Sequence, residues 1–103
     1  MFDIKKAMEM KQKMDEIQKR LDSIMVDAEA GDGKYQVKVT VTASKKVKSV
    51  DISDALLAGG DKEHLEDLIV LAMERGLEKA QSVADAEARS MALSGGLGGL
   101  FGA

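Results

Sequence analysis

Few side chains of this sequence could support acid–base or metal chemistry. The single histidine, His64, stands beside Glu63 and near Glu66, with no second ligand or proton-transfer partner at a suitable spacing. The chain has no cysteine, which excludes disulfides, thiolate metal sites and a cysteine nucleophile. The Gly59-Gly60 pair does not match a phosphate-binding loop. We therefore expect no enzyme activity, no cofactor, no metal site and no small-molecule substrate, and we expect His64 to lie at the surface.

Lysine and arginine side chains are the better candidates for function, because they can contact the phosphates of a polyanion. On a helical wheel, however, the bases of the first predicted helix interleave with acids, and spacings such as Glu9–Lys13 and Glu16–Arg20 favour pairing within the helix. A self-neutralised, solvated face is thus the competing interpretation. The candidate contacts to duplex DNA are Lys5, Lys6, Lys11, Lys13, Lys19 and Arg20 on that helix, and Lys45 and Lys46 in a predicted turn.

Charge is distributed unevenly along the chain, whose net charge is −3. Residues 1–48 hold 11 Lys and Arg against 8 Asp and Glu, whereas residues 49–103 hold 4 against 10. A basic half can attract a polyanion locally, because salt confines its field to about 10 Å. The asymmetry is compatible with DNA binding by the first half, and equally with ordinary variation.

Length and hydropathy predict one soluble domain. The 103 residues suffice for a modest core, which must be built from aliphatic side chains because only 3% of residues are aromatic. The longest strongly apolar run, residues 68–73, is far shorter than the roughly 20 residues of a membrane span, and no signal peptide is visible. We expect a cytoplasmic protein with a single domain over residues 1–93. Residues 94–103 are half glycine, which predicts a flexible tail.

The first helix is predicted from about Asp3 to Ser23, with Asp3 as its N-cap. Its apolar residues alternate at spacings of three and four, which is an a/d heptad seam. So narrow a stripe needs a partner surface, on the same chain or on another copy. The seam residues are Ala7, Met10, Met14, Ile17, Leu21 and Ile24.

Three short strands follow. Residues 25–30 alternate apolar and acidic side chains, Asp32-Gly33 favours a tight hairpin turn, and residues 35–42 alternate with Val37, Val39 and Val41 on one face. A second turn at residues 43–46 leads to a third strand at residues 47–52, with Val50 and Ile52 pointing inward. We therefore predict an antiparallel meander whose solvated face carries Lys38, Thr40 and Thr42.

After one helical turn near Leu56, Asp61 is predicted to cap a second long helix, reaching Leu93. At 1.5 Å per residue such a helix spans about 50 Å and would overhang a compact domain of this size. Overhanging helices with apolar seams predict a homodimer, in which the copies cover each other's stripes.

The order of these elements, with particular motifs, resembles the YbaB/EbfC family of bacterial nucleoid-associated proteins. The resemblance covers essentially the whole chain. It rests on Met10-Lys11-Gln12-Lys13-Met14, on the V-K-V-T-V strand of residues 37–41, on Val50-Asp51-Ile52-Ser53, on the segment Asp61-Lys62-Glu63-His64-Leu65-Glu66-Asp67-Leu68-Ile69, and on a Gly-Gly-Leu tail. Where the family often has Asn-Gly, this chain has Ala43-Ser44-Lys45-Lys46, and where it often has Pro, this chain has Ser53-Asp54-Ala55.

The resemblance implies an α+β fold, an α-β-β-β-α protomer with the three-stranded antiparallel meander between two long helices, and a tweezer-like homodimer. It further implies binding of double-stranded DNA with little sequence preference, in the bacterial nucleoid, and a role in nucleoid organisation and gene regulation. The family offers no compact contact motif that transfers residue by residue, so the eight basic candidates remain an inference from charge. The alternative is a dimeric protein–protein adaptor that uses the acidic long helix and the Gly-Leu-Phe tail.

Overall fold

The structure, a computed structural model, describes residues 3–93. Its order confirms the α+β expectation: one long helix, three antiparallel strands, a short helix and a second long helix. The predicted flexible tail, residues 94–103, lies outside the described residues. The elements are α1 (Ile4–Ser23), β1 (Met25–Asp32), β2 (Tyr35–Thr42), β3 (Val47–Ile52), α2 (Asp54–Ala58) and α3 (Lys62–Leu93).

The strands form one sheet in the order β1-β2-β3, as the meander prediction requires. In the first hairpin Asp32 pairs with Tyr35, so the turn residues are Gly33 and Lys34, one position later than the predicted Asp-Gly pair. Gly33 has a φ of +54°, which suits glycine at the first central position of a tight hairpin turn. In the second hairpin a register shift between Thr40 and Val41 interrupts the ladder.

Helix α3 packs across β1 and β2 on one face of the sheet. Val37, Val39 and Val41 are fully buried beneath it, and Ala72 and Ala80 are their counterparts on the helix. The close approach depends on small residues: a Cβ placed on Gly76 would lie 3.1 Å from Cγ2 of Val39. The alternating valines of β2 therefore form the centre of the core, as their period-two pattern predicts.

Helix α1 projects from this body. Its N-cap is Asp3, as predicted, which accepts hydrogen bonds from the backbone amides of Lys5 and Lys6. No residue of the helix is buried. Of its seam, Ile17 and Leu21 are half-buried, whereas Met10 and Met14 are 45% and 65% exposed. The radius of gyration, 18.9 Å, accordingly exceeds the value of about 13 Å expected for a compact domain of this length.

One sequence-based expectation about burial was wrong, and a second was right in direction only. Thr42, predicted on the solvated face, is completely buried, because Ser44 and Lys46 fold over it at the β2–β3 turn. Val50 points to the helix side of the sheet, opposite Val39, yet remains 42% exposed because α3 covers only β1 and β2. No helix within residues 3–93 is long and apolar enough to cross a membrane.

Candidate nucleic-acid interface

The eight basic candidates lie on two adjoining elements of the structure: six on α1 and two in the β2–β3 turn beside the end of that helix. All eight are exposed. The turn and the helix are joined where Lys46 Nζ lies 3.2 Å from Oδ2 of Asp22, in the last turn of α1. From that junction to Lys5 the helix runs about 25 Å, at 1.5 Å per residue. The candidates are therefore spread along the length of α1 and around its circumference, and they do not form a compact pocket.

Two of the eight have ion-pair partners. Arg20 Nε donates to Oε2 of Glu87 on α3 at 2.6 Å. The hydrogen bond and the charge of Glu87 both raise the pKa of Arg20 above its ordinary value, so this guanidinium stays charged but is occupied. Lys46 is paired with Asp22, as described above. Arg20 and Lys46 are therefore weaker candidates for DNA contact than the sequence suggests.

The six others form no salt bridge within residues 3–93. The helical spacings Glu9–Lys13 and Asp15–Lys19 do not bring those charges within 4.0 Å, and Arg20 pairs with α3 instead of Glu16. The self-neutralised face considered above is thus incomplete, although acids still alternate with the lysines around the helix. The unpaired cations are Lys5, Lys6, Lys11, Lys13, Lys19 and Lys45.

A second basic group, which the sequence interpretation did not identify, lies at the free edge of β1. Arg75 Nη1 donates to the carbonyl oxygen of Glu29, and Lys79 Nζ donates to that of Asp27, each at 3.0 Å. Together with Lys38 they line an open groove of about 420 Å³. Because these two side chains satisfy the unpaired carbonyls of an edge strand, their primary role is structural. The four-residue spacing of Arg75 and Lys79 places both side chains on one face of α3, which the sequence alone could have indicated. It does not indicate that this face lies alongside β1.

Within the described part of the chain, no group of three or more His, Asp or Glu side chains is arranged to hold a metal ion. His64 is exposed, and its backbone amide donates to Oδ1 of Asp61 at 3.0 Å as part of the N-terminal cap of α3. This geometry agrees with a surface position for His64.

Comparison with known proteins decides what class of molecule this architecture represents. The model of the YbaB/EbfC DNA-binding family matches residues 2–97. The chain belongs to this YbaB/EbfC family. Relatives are named nucleoid-associated proteins: one of Flavobacterium johnsoniae is 44% identical over 87 residues, which cover 84% of this chain and 78% of that protein. One from Acetivibrio thermocellus is 35% identical over 99 residues, covering 96% and 84% of the two chains.

A further nucleoid-associated protein, from Neisseria meningitidis serogroup C, is 38% identical over 84 residues, which cover 80% of this chain and 74% of that protein. Among solved structures, that of an uncharacterized protein from Helicobacter pylori superposes with a TM-score of 0.69 at 19% identity, covering 88% of this chain and 98% of the other. At that identity the match supports the fold alone. The family assignment rests on the sequence comparisons.

Proposed function

We propose that this protein binds duplex DNA as a homodimer, mainly through phosphate contacts and with little sequence preference, and contributes in this way to nucleoid organisation and gene regulation. The observation that carries the proposal is the set of unpaired lysines on α1 and the β2–β3 turn, in a chain of a DNA-binding family. Since its relatives are named nucleoid-associated proteins, we place it in the nucleoid, in the cytoplasm. The proposal assigns the protein no catalytic step.

The unpaired cations favour contact with phosphate over base readout. Lysine acts as a flexible point charge and lacks the planar fork with which arginine reads a guanine edge. Five of the six unpaired cations lie on α1, where they follow the helix for most of its length. Each phosphate that a lysine neutralises releases condensed counterions, which supplies binding free energy without regard to sequence.

The dimer is proposed from an uncovered apolar surface. Beside α3 the inner side of β3 is left open, where Val50 is 42% exposed. At 100° per residue, Val70 and Leu77 lie on the flank of α3 opposite Arg75, which reaches the β1 edge. They therefore lie on the solvent-facing side of α3, away from β1, and they are 57% and 37% exposed. Together with Val50, they leave apolar side chains of both β3 and α3 open to solvent.

A second copy is the partner that fits this exposed apolar surface. Its own α3 is long, presents the same apolar flank, and would bury Val70 and Leu77 of both copies about a two-fold axis. Isologous packing of this kind doubles the number of α1 helices, and hence of unpaired lysines, that can meet one duplex. The net charge of −3 per chain opposes binding at long range, so the contacts must come from the basic elements themselves.

The proposal is tested by charge reversal with a matched control. Replacing Lys11, Lys13 and Lys19 with Glu removes unpaired cations from α1, whereas replacing Lys34, Lys48 and Lys62 with Glu changes the net charge equally at other exposed positions. We expect the first variant to lose most affinity for a duplex at low salt, and the second to retain much more. Equal losses would show that overall charge and not α1 governs binding. Absence of binding by the unsubstituted protein at low salt would favour the adaptor alternative.

A further inference from the structure

The last turn of α1 is tied to the β2–β3 turn by a chain of hydrogen bonds. The hydroxyl of Ser44 donates to Oδ1 of Asp22, and the two hydroxyl oxygens of Thr42 and Ser44 are 2.7 Å apart. The backbone amide of Lys46 donates to Oγ1 of Thr42 at 3.0 Å, while its Nζ lies 3.2 Å from Oδ2 of Asp22. We call Asp22, Thr42, Ser44 and Lys46 the Asp22 cluster.

The direction of this chain follows from donor and acceptor capacity. An ionised carboxylate only accepts, so the single hydroxyl hydrogen of Ser44 must go to Asp22. Thr42 therefore donates to Ser44, and its own oxygen accepts the Lys46 amide. Each link depends on the next, and Thr42 is completely buried at the far end. Because buried polar atoms without partners are costly, the cluster favours one arrangement of α1 and the turn.

The position of Asp22 on α1 is a second, independent indication of this role. An acid in the last turn of a helix faces the negative end of the helix dipole, which is unfavourable for the helix itself. The stability of the helix alone therefore does not explain an aspartate at position 22, whereas the contacts of Asp22 with Ser44 and Lys46 do. The hydrogen bond from Gln18 at 3.4 Å, within α1, is a smaller addition.

A second anchor holds the opposite flank of α1. Arg20 and Asp22 are about 160° apart around the helix axis, at 100° per residue. Arg20 pairs with Glu87 on α3, and Asp22 pairs with the β2–β3 turn. Leu21 lies between them on the half-buried seam. The end of α1 is thus fixed from both sides, by two elements that belong to the body.

These two contacts fix the direction of a long projecting helix, α1. A single residue, Ile24, connects α1 to β1, and α1 contains no buried residue. From Asp22 to Ile4 the helix spans about 27 Å, so a tilt of about 20° would move its first turn by about 9 Å. That is several times the roughly 3 Å over which a lysine can hydrogen-bond a phosphate.

We propose that Asp22 is a positioning residue, which together with Thr42, Ser44 and Lys46 sets the angle of α1 relative to the sheet and thereby the placement of the α1 lysines on DNA. The part that concerns DNA rests on the function proposed above. The part that concerns the angle does not, and can be measured without DNA.

The angle is accessible to spectroscopy because the chain has no native cysteine. The substitutions Gln12→Cys on α1 and Ser49→Cys on β3 introduce two spin labels in one chain, and dilution with excess unlabelled chain isolates the distance within that chain. We expect Asp22→Ala and the milder Ser44→Ala to broaden this distance distribution. Asp15→Ala, which removes an acid from the exposed middle of the same helix, should leave it unchanged. Circular dichroism verifies that each variant folds, and Ser44→Ala keeps the test decisive if Asp22→Ala does not.

DNA affinity separates positioning from charge. Asp22→Ala and Asp15→Ala make the chain less negative by the same amount, so charge alone would strengthen binding in both. If Asp22 positions α1, Asp22→Ala should instead weaken binding by about fivefold, and Ser44→Ala, which leaves the charge unchanged, by about threefold, in line with the modest worth of single hydrogen bonds. If Asp22→Ala binds DNA as tightly as the unsubstituted protein, or more tightly as Asp15→Ala is expected to, the proposed effect on DNA is overturned.

Unbroadened distributions in both Asp22→Ala and Ser44→Ala would overturn the positioning role altogether. Failure of the unsubstituted protein to bind DNA would contradict the proposed function and with it the DNA part of this inference. The distances would still decide whether the Asp22 cluster fixes α1, so the two failures are distinguishable.

Discussion

Lys45 occupies a backbone conformation that favours glycine. Its φ is +71°, and its amide donates to the carbonyl of Thr42 at 2.9 Å in the turn that joins β2 and β3. A side chain in the left-handed region costs about 1–2 kcal/mol. Retaining a lysine there places an unpaired cation in the exposed turn that adjoins the end of α1. Such a conformational cost is often found at functional positions.

We therefore expect Lys45→Gly to stabilise the fold by about 0.5–1 kcal/mol, because the relief of strain exceeds the greater entropy of glycine in the unfolded chain. The same substitution should weaken DNA binding. Lys45→Ala removes the same charge and keeps the strain, so it should weaken binding equally without stabilising. Urea denaturation and duplex titration of both variants measure the two effects. If Lys45→Gly binds DNA as tightly as the unsubstituted protein, Lys45 does not contact DNA.

At Asp22, hydrogen bonds from Ser44 and then Lys46 lower the pKa of the carboxyl below its ordinary value. The folded state therefore favours the charged form, and this contribution to stability is complete above the ordinary aspartate pKa of about 4 and is lost as pH falls through the lower folded-state value. We expect Asp22→Asn to be less stable than the unsubstituted protein at neutral pH, with a difference that shrinks in acid. Urea midpoints between neutral pH and about pH 3 provide the measurement. A difference in stability that does not change with pH would contradict this stabilising role of the Asp22 charge. Asp15→Asn is the control for the loss of an exposed carboxyl.

Among the elements, α3 depends most on close packing. Gly76 allows its backbone to approach Val39 on β2, and a Cβ there would also lie 3.7 Å from Cβ of Ala28 on β1. The helix can therefore lie flat across two strands, which brings its C-terminal half alongside α1 at Glu87. The position of α1 is thus linked to how closely α3 meets the sheet.

Replacing Gly76 with Val should destabilise the fold by about 2 kcal/mol, because overpacking a filled core forces backbone shifts. Ser82→Val, at an exposed position of the same helix, serves as the control for the helix propensity of valine. Combining Gly76→Ala with Val39→Ala should be less damaging than the sum of the single changes, since the removed methyl groups make room for the new Cβ. Thermal unfolding of the set tests this. An additive outcome would show that the two residues do not compete for space.

The sequence predicted the elements better than their contacts. The alternation in β2 and the uninterrupted helical spacing of α3 are local signals, and both gave the right element with nearly the right bounds. Thr42 was assigned to the solvated face because alternation cannot report that a turn two residues later folds over it. Likewise, Arg20 and Glu87 are 67 residues apart, so their pairing depends on the tertiary fold. Sorting the basic candidates into paired and unpaired residues therefore required the structure.

At the scale of the whole molecule, the extents of 64 × 23 × 18 Å describe an elongated body with a projecting helix. Such a shape exposes apolar side chains that a compact monomer would cover. Val50 on β3 and Val70 and Leu77 on α3 are the principal examples, and a second copy would cover them. Dimerisation would also set the separation of the two α1 helices, and therefore which phosphates they can reach together.

We expect the unsubstituted protein to have the mass of a dimer in solution, and Leu77→Glu to shift it toward the monomer, because two like charges would be buried against each other in the interface. Val47 is also exposed on β3 but lies next to the β2–β3 turn, so Val47→Glu tests whether the interface extends along the strand to that turn. Sedimentation or light scattering gives the mass directly. A monomer at high protein concentration would contradict the dimer proposal.

The central claim, that unpaired lysines bind duplex DNA through its phosphates, is tested most directly by the salt dependence of binding. The affinity for unrelated duplex sequences should be similar, and log K should fall linearly with log salt, with a slope of about −0.9 for each phosphate neutralised. Replacing Lys13 with Gln should make that slope shallower by about 0.9 for every copy that contacts the duplex. An affinity that does not change with salt would contradict the account.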